Sequence, residues 1–137
     1  MRPLAAFTLA LSLLAAQPSL AAGTPLTHDE LERGTVIEGV VMKVMKFTDY
    51  HFRPGPLIRR DYTIEVNVAV SRGPSAPERH TTIEVHGSDT ASIPDAGVDG
   101  LKDLGEGTVA RFYLEHQGDG APWTIREPNG LEHLGGN

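Results

Sequence analysis

Residues 35–47 constrain the fold more than any other part of the chain, and they read Thr-Val-Ile-Glu-Gly-Val-Val-Met-Lys-Val-Met-Lys-Phe. Val36, Val40, Met42 and Val44 fall on even positions, while Ile37, Val41, Met45 and Phe47 fall on odd ones. Successive side chains of a strand point to opposite faces, so a strand buried on one side shows one apolar parity. Two apolar parities with Gly39 between them predict one long strand that bends or bulges at the glycine. Such a strand serves both halves of a curled sheet.

The runs that follow read as its partners. Residues 62–70 alternate cleanly, with Tyr62, Ile64, Val66, Val68 and Val70 on one face and Thr63, Glu65, Asn67 and Ala69 on the other. Residues 80–86 set Thr81, Ile83 and Val85 against His80, Thr82, Glu84 and His86. Residues 108–116 place Ala110, Phe112 and Leu114 inward, and residues 123–127 carry Trp123 and Ile125 on one face. Arg53-Pro54-Gly55-Pro56 suits a type II turn. Folding back there sets Tyr50 opposite Arg59, Phe47 opposite Tyr62, Met45 opposite Ile64 and Val41 opposite Val68. Residues 71–79 read as a loop, and the tail 135–137 is expected to fray.

Helix is scarce in this pattern. Residues 26–34 predict one short helix, because Thr27 and Glu30 have capping-box spacing and Leu26 and Leu31 sit at hydrophobic-staple positions. Gly34 fits the position just past its end. Between the third and fourth strands, Val98, Leu101 and Leu104 suggest a short helix or turn, capped by Asp95 or Asp99, with Gly97 and Gly100 acting against helix. The expected architecture is all-β: a five-stranded Greek-key barrel with a short N-terminal helix. An immunoglobulin-like sandwich is the alternative, but it calls for about seven strands, and five are legible.

Five strands with a short helix between the third and fourth resemble the OB-fold, over about residues 35–127. Residues 94–115 carry Pro-Asp before an apolar segment and Gly-Glu-Gly before a strand. They are similar to the same region of the periplasmic haem chaperones of cytochrome c maturation, which are also OB-folds. Those chaperones are membrane-anchored and carry a haem-binding histidine shortly followed by a tyrosine beyond the barrel. Here His133 is the only tail histidine and no tyrosine follows it. The resemblance therefore implies the fold without the haem role, and no cofactor is expected.

Residues 1–21 read as a cleaved secretory signal, leaving residues 22–137 as a single barrel domain. Arg2 supplies the positive start, residues 4–16 form an apolar segment too short to span a bilayer, and Ser19-Leu20-Ala21 suits a cleavage site. The expected product is an exported, soluble, monomeric protein of the periplasm or the cell exterior. The chain carries a net charge of −6, one unit more negative once Arg2 leaves with the signal. That disfavours nucleic acid as a partner, since such binding rests on a basic field. No cysteine is present, which removes disulfides, thiolate metal sites and a cysteine nucleophile.

No catalytic constellation stands out. His86-Gly87-Ser88-Asp89 lacks the Gly-x-Ser-x-Gly elbow of a nucleophilic serine. His80 and His86 lie six residues apart, roughly 20 Å along a strand at about 3.3 Å per residue. They cannot share an ion, although Glu84 and His86 could, with Glu65 as a third ligand. Binding is the leading expectation. OB-folds take ligands across the second and third strands, flanked by the loops after the first and fourth. That resemblance implies Tyr50, Phe52, Arg53 and Arg59 from the first loop, Glu65, Asn67, Glu84 and His86 from the sheet, and Asp119 with Trp123 from the last. Aromatics beside arginine suit a cell-envelope glycan, a peptide or a partner protein. A small hydrolytic enzyme with a carboxylate pair and a surface metal binder are the alternatives.

Overall fold

A computed structural model describes residues 24–51, 57–91, 96–116, 118 and 122–136, together with the backbone alone at His51 and Leu57. Among the described residues, six strands follow one short helix: α1 (His28–Glu32), β1 (Thr35–His51), β2 (Leu57–Arg72), β3 (Thr82–Ala91), β4 (Val109–His116), β5 (Trp123–Ile125) and β6 (Leu131–Gly135). The sheet runs β1-β2-β3-β5-β4-β6, and a further pairing of β1 with β4 closes it. All pairings are antiparallel except that of β3 with β5. The all-β barrel with a short N-terminal helix is therefore present. The signal segment, the turn at 53–56, Asp95 and the site candidates Phe52, Arg53 and Asp119 lie outside the described residues.

The barrel interior holds one apolar cluster. Ile37 and Val41 of β1, Ile64, Val66 and Val68 of β2, Val85 of β3, Ala110, Phe112 and Leu114 of β4, and Ile125 of β5 are buried there. Val98, Leu101 and Leu104 cover one end, with Leu101–Asp103 forming a single 3-10 turn. The expected acidic cap is absent at that turn: Gly100 precedes it in a left-handed conformation, φ 85°, without a side-chain cap. Helix α1 matches its expected chemistry, since the Glu30 backbone N–H donates to Thr27 Oγ1 and Glu30 answers at the Thr27 backbone N–H.

β1 departs from the expected register by one residue at Met45, Phe47 and Tyr50 and by two at Val41. Val41 pairs with Val66, Met45 with Thr63, Phe47 with Asp61 and Tyr50 with Ile58. Two bulges account for the local shifts. One lies in β2, where Ala69 is passed over between the pairs Glu38–Val70 and Gly39–Val68. It leaves Gly39 inward-facing and turns Val70 out to 40 % exposure, away from the face of Val68. The other lies at Met42, between the pairs Val41–Val66 and Lys43–Glu65. An extra residue on one strand flips its parity. Ile37, Gly39 and Val41 thus face inward before Met42, and Val44 faces inward after it. The parity switch expected at Gly39 is made three residues later. Gly39 answers a different need, since a Cβ there would lie 2.2 Å from the Asn67 carbonyl oxygen.

The even parity of early β1 has its own partner. Val36 packs on the outer wall with Leu31 of α1 and Tyr113 of β4, with Leu26 alongside. Asn129 holds this layer down, donating from Nδ2 to the Leu26 carbonyl at 2.8 Å and accepting the Leu26 N–H at 2.9 Å. The tail does not fray through residue 135. β6 extends the edge of β4 beyond β5, pairing Leu131 with Phe112 and His133 with Ala110. β3 continues to Ala91, past the expected strand end at His86.

Candidate functional site

Directly opposed residues of an antiparallel pair share one face, so the registers fix what the outer wall of β1, β2 and β3 presents. Its rows are Lys43–Glu65–Glu84, Met45–Thr63–His86, Phe47–Asp61–Ser88 and Asp49–Arg59–Thr90. Asn67 lies on the same wall, between Val40 and Thr82. Five sequence candidates, Arg59, Glu65, Asn67, Glu84 and His86, therefore share one wall, and of these Arg59 and His86 line one cleft. Tyr50 does not join them. It sits opposite Ile58 on the other face, so the one-residue register difference separates it from Arg59.

Two apolar members of this wall were not among the sequence candidates. Phe47 is 63 % exposed and Met45 is 36 % exposed. The alternation read from residue 35 counted them as interior; the bulge at Met42 turns them out, and nothing in the residue types marks that extra position.

A cleft of about 430 Å³ opens on this wall, lined by Arg59, Asp61, Thr63, His86, Ser88, Thr124 and Glu127 among others. Arg59 Nε donates to Asp61 Oδ1 at 3.1 Å, holding the guanidinium along β2. His86 Nε2 is buried without a hydrogen-bond partner, and the nearest carboxylate oxygen, Glu84 Oε1, is 3.7 Å away. At that separation a hydrogen bond is not formed. A buried polar atom left unpaired costs free energy, so among the described residues this nitrogen marks a place on the wall where the fold leaves a polar demand unmet. Glu65 and Glu84, opposed across β2 and β3, add a second unfavourable contact, because like charges directly opposite each other repel.

Trp123 is half-buried at the other side of β3. Its ring stacks on His116 with centroids 4.3 Å apart, and it packs against the core. Trp123 is thus a wall residue between β3 and β4 more than a free platform. Among the described residues, no three His, Asp or Glu side chains converge as a metal site would require, so Glu65 does not complete a ligand set with Glu84 and His86.

Two other polar groupings have structural work. On the inner face beyond the core, Arg60 Nε donates to Asp89 Oδ1 at 2.7 Å and the Tyr62 hydroxyl donates to Asp89 Oδ2 at 3.4 Å. Burial pushes the Tyr62 phenol above its ordinary value and the Asp89 carboxylate adds to the rise. The most buried carboxylate is therefore committed to two partners. A larger cleft, about 590 Å³, lies between the end of α1, residues 74–75 and β4, and includes Arg33, His116 and Arg126. There Arg126 Nη1 donates to the Glu30 carbonyl at 2.7 Å, and the Glu30 carboxylate completes the helix cap. Those contacts hold α1 in place, and no unpaired buried atom faces that cleft among the described residues. The smaller cleft is the better candidate despite its size.

No family model, no curated protein and no solved structure matches the chain.

Proposed function

We propose that this protein is an exported, monomeric binding module of OB type. Its ligand lies across the outer wall of β2 and β3 and enters the cleft beside His86. The OB assignment is supported by the closed order β1-β2-β3-β5-β4-β1, the single parallel pairing of β3 with β5, and the cap formed between β3 and β4. Export is supported by the leader-like residues 1–21. Among the described residues no helix is long and apolar enough to cross a membrane.

The observation that carries the reading is the unpaired, buried Nε2 of His86 in a cleft whose other groups include donors and acceptors in mixture. Arg59, Ser88, Thr63 and Thr124 offer N–H or hydroxyl groups, and Asp61 and Glu127 offer carboxylates. Mixed donors and acceptors with an exposed aromatic ring in the adjoining row suit a hydroxyl-rich ligand, and a cell-envelope glycan has that chemistry. A hydrolytic reading has less support, because Asp89 is tied to Arg60 and Tyr62 and Asp61 to Arg59.

Calorimetric titration of the purified chain with soluble envelope oligosaccharides tests this. Binding is expected to weaken at least tenfold in His86→Ala and in Phe47→Ala, with melting temperatures within a few degrees of the parent. Equal affinity in both variants, or no glycan bound by the parent, defeats the reading.

A further inference from the structure

Beyond the glycan-binding wall, β1 offers a second surface. β4 pairs with β1 only from Thr35 to Val40. Two further hydrogen bonds follow at Val41, from its N–H to the Thr108 carbonyl and to its carbonyl from the Gly107 N–H, both at 2.8 Å. From residue 42 to residue 48, β1 is bonded to β2 alone among the described residues. That is roughly 20 Å of unpaired strand edge at about 3.3 Å per residue.

Exposed edges of this length are templates for another strand, and proteins usually shorten, cover or charge them. Here the edge stays long and exposes apolar side chains: Met42 is 52 % exposed, in addition to Met45 and Phe47. It also carries Lys43 and Lys46, edge charges of the kind that discourage indiscriminate strand pairing; neither forms an ion pair among the described residues, although Lys43 lies opposite Glu65 of β2. The two lysines lie on opposite faces of the strand, three positions apart.

We propose that this edge takes an extended, acidic and apolar segment of a partner protein by strand addition, with two acids three residues apart that meet Lys43 on the outer face and Lys46 on the inner one. A second copy of the chain fits less well. Pairing about Lys46 puts two ammonium groups face to face, and pairing about Met45 sets Lys46 against Val44 and Lys43 against Phe47. Neither register gives Lys46 an acid. A partner strand with acids at that spacing satisfies both lysines, and its apolar side chains cover Met45 and Phe47. Backbone hydrogen bonds supply affinity in such pairings and the alternating side chains supply selectivity. The edge shares Met45 and Phe47 with the glycan-binding wall, but neither lines the His86 cleft, so His86→Ala leaves the edge intact.

Labelled peptides of about eight residues test it by fluorescence anisotropy. One carries two glutamates three positions apart among valine and threonine. A second has lysines at those positions, and a third has the glutamates two apart. The first is expected to bind the full chain at least tenfold more tightly than the second and severalfold more tightly than the third. N-methylation of alternate amides along one edge of the first peptide should abolish binding, while methylation along the other edge should leave it. The double variant Lys43→Glu, Lys46→Glu should invert the preference between the first and second peptides. Absence of binding, binding indifferent to both methylation patterns, or a protein that sediments as a dimer through this edge would each overturn the proposal.

Discussion

β1 is one continuous strand, yet residues 35–41 and residues 42–51 behave as two different objects. The first part is paired on both sides, by β2 and by β4. Val36, Ile37 and Val41 are at most 1 % exposed, because the barrel core takes the odd parity and α1 covers Val36. The second part has β2 as its only strand partner among the described residues, and apart from Val44 its described side chains are exposed. Apolar content alone does not separate them, for the first carries Val36, Ile37, Val40 and Val41 and the second Met42, Val44, Met45 and Phe47. What separates them is the partner available to each face. Burial is a property of the pairing, and the odd parity that is core before the Met42 bulge is surface after it.

The sharpest way to break this comparison uses two phenylalanines. Phe112→Ala is expected to cost about 3–5 kcal/mol, because the ring is fully buried in the barrel and its loss leaves a cavity. Phe47→Ala should change stability by no more than about 0.5 kcal/mol, as exposed substitutions do. Chemical denaturation of both variants measures the contrast; comparable losses would mean that the arm is packed like the barrel.

A somewhat smaller effect sharpens the same contrast within β1. Gly39→Val forces a side chain against the Asn67 carbonyl and Val66. Overpacking of this kind costs about 1–3 kcal/mol. Met42→Val, at the bulge and exposed, should be close to neutral in the same denaturation series. A neutral Gly39→Val would show that β1 and β2 do not approach as closely as described.

The smallest expected effect is a pH dependence on the inner face of β2 beside the arm. Tyr62 holds its proton more tightly when folded, chiefly because of burial and then because of the Asp89 carboxylate. A folded pKa raised above the unfolded value gives stability that is complete below about pH 10 and lost as pH rises through the folded value. Alkaline melting curves should therefore fall above about pH 10 in the parent and fall less steeply in Tyr62→Phe. Identical alkaline limbs would remove Tyr62 from that role.

Much of this architecture was legible in the residues. Alternation at 62–68 and 108–114 gave the inward faces of β2 and β4, and Thr27 with Glu30 marked the start of α1. The register was not legible, because it depends on two bulged residues, Ala69 and Met42, and each resembles its neighbours. Tyr113 alternates with the inward Phe112 and Leu114, so it lies on the outer wall, and it is buried there all the same; the clue was the even parity of early β1 together with an amphipathic helix just before it. β6 escaped notice since only Leu131 in it faces apolar company, while the glycines at 135 and 136 read as a loose end. Of the site, the strand face was legible and its neighbours were not. Phe47 reached the wall through the bulge, and Tyr50 left it for the same reason.

The clasp between Leu26 and Asn129 spans 103 positions of the chain, and Arg126 reaches Glu30 across 96. During synthesis Val36, which packs on α1, follows it at once, but Arg126 and Asn129, which clasp it and the residues before it, are made nearly last. The amino-terminal segment therefore stays unclasped while most of the polypeptide is still emerging.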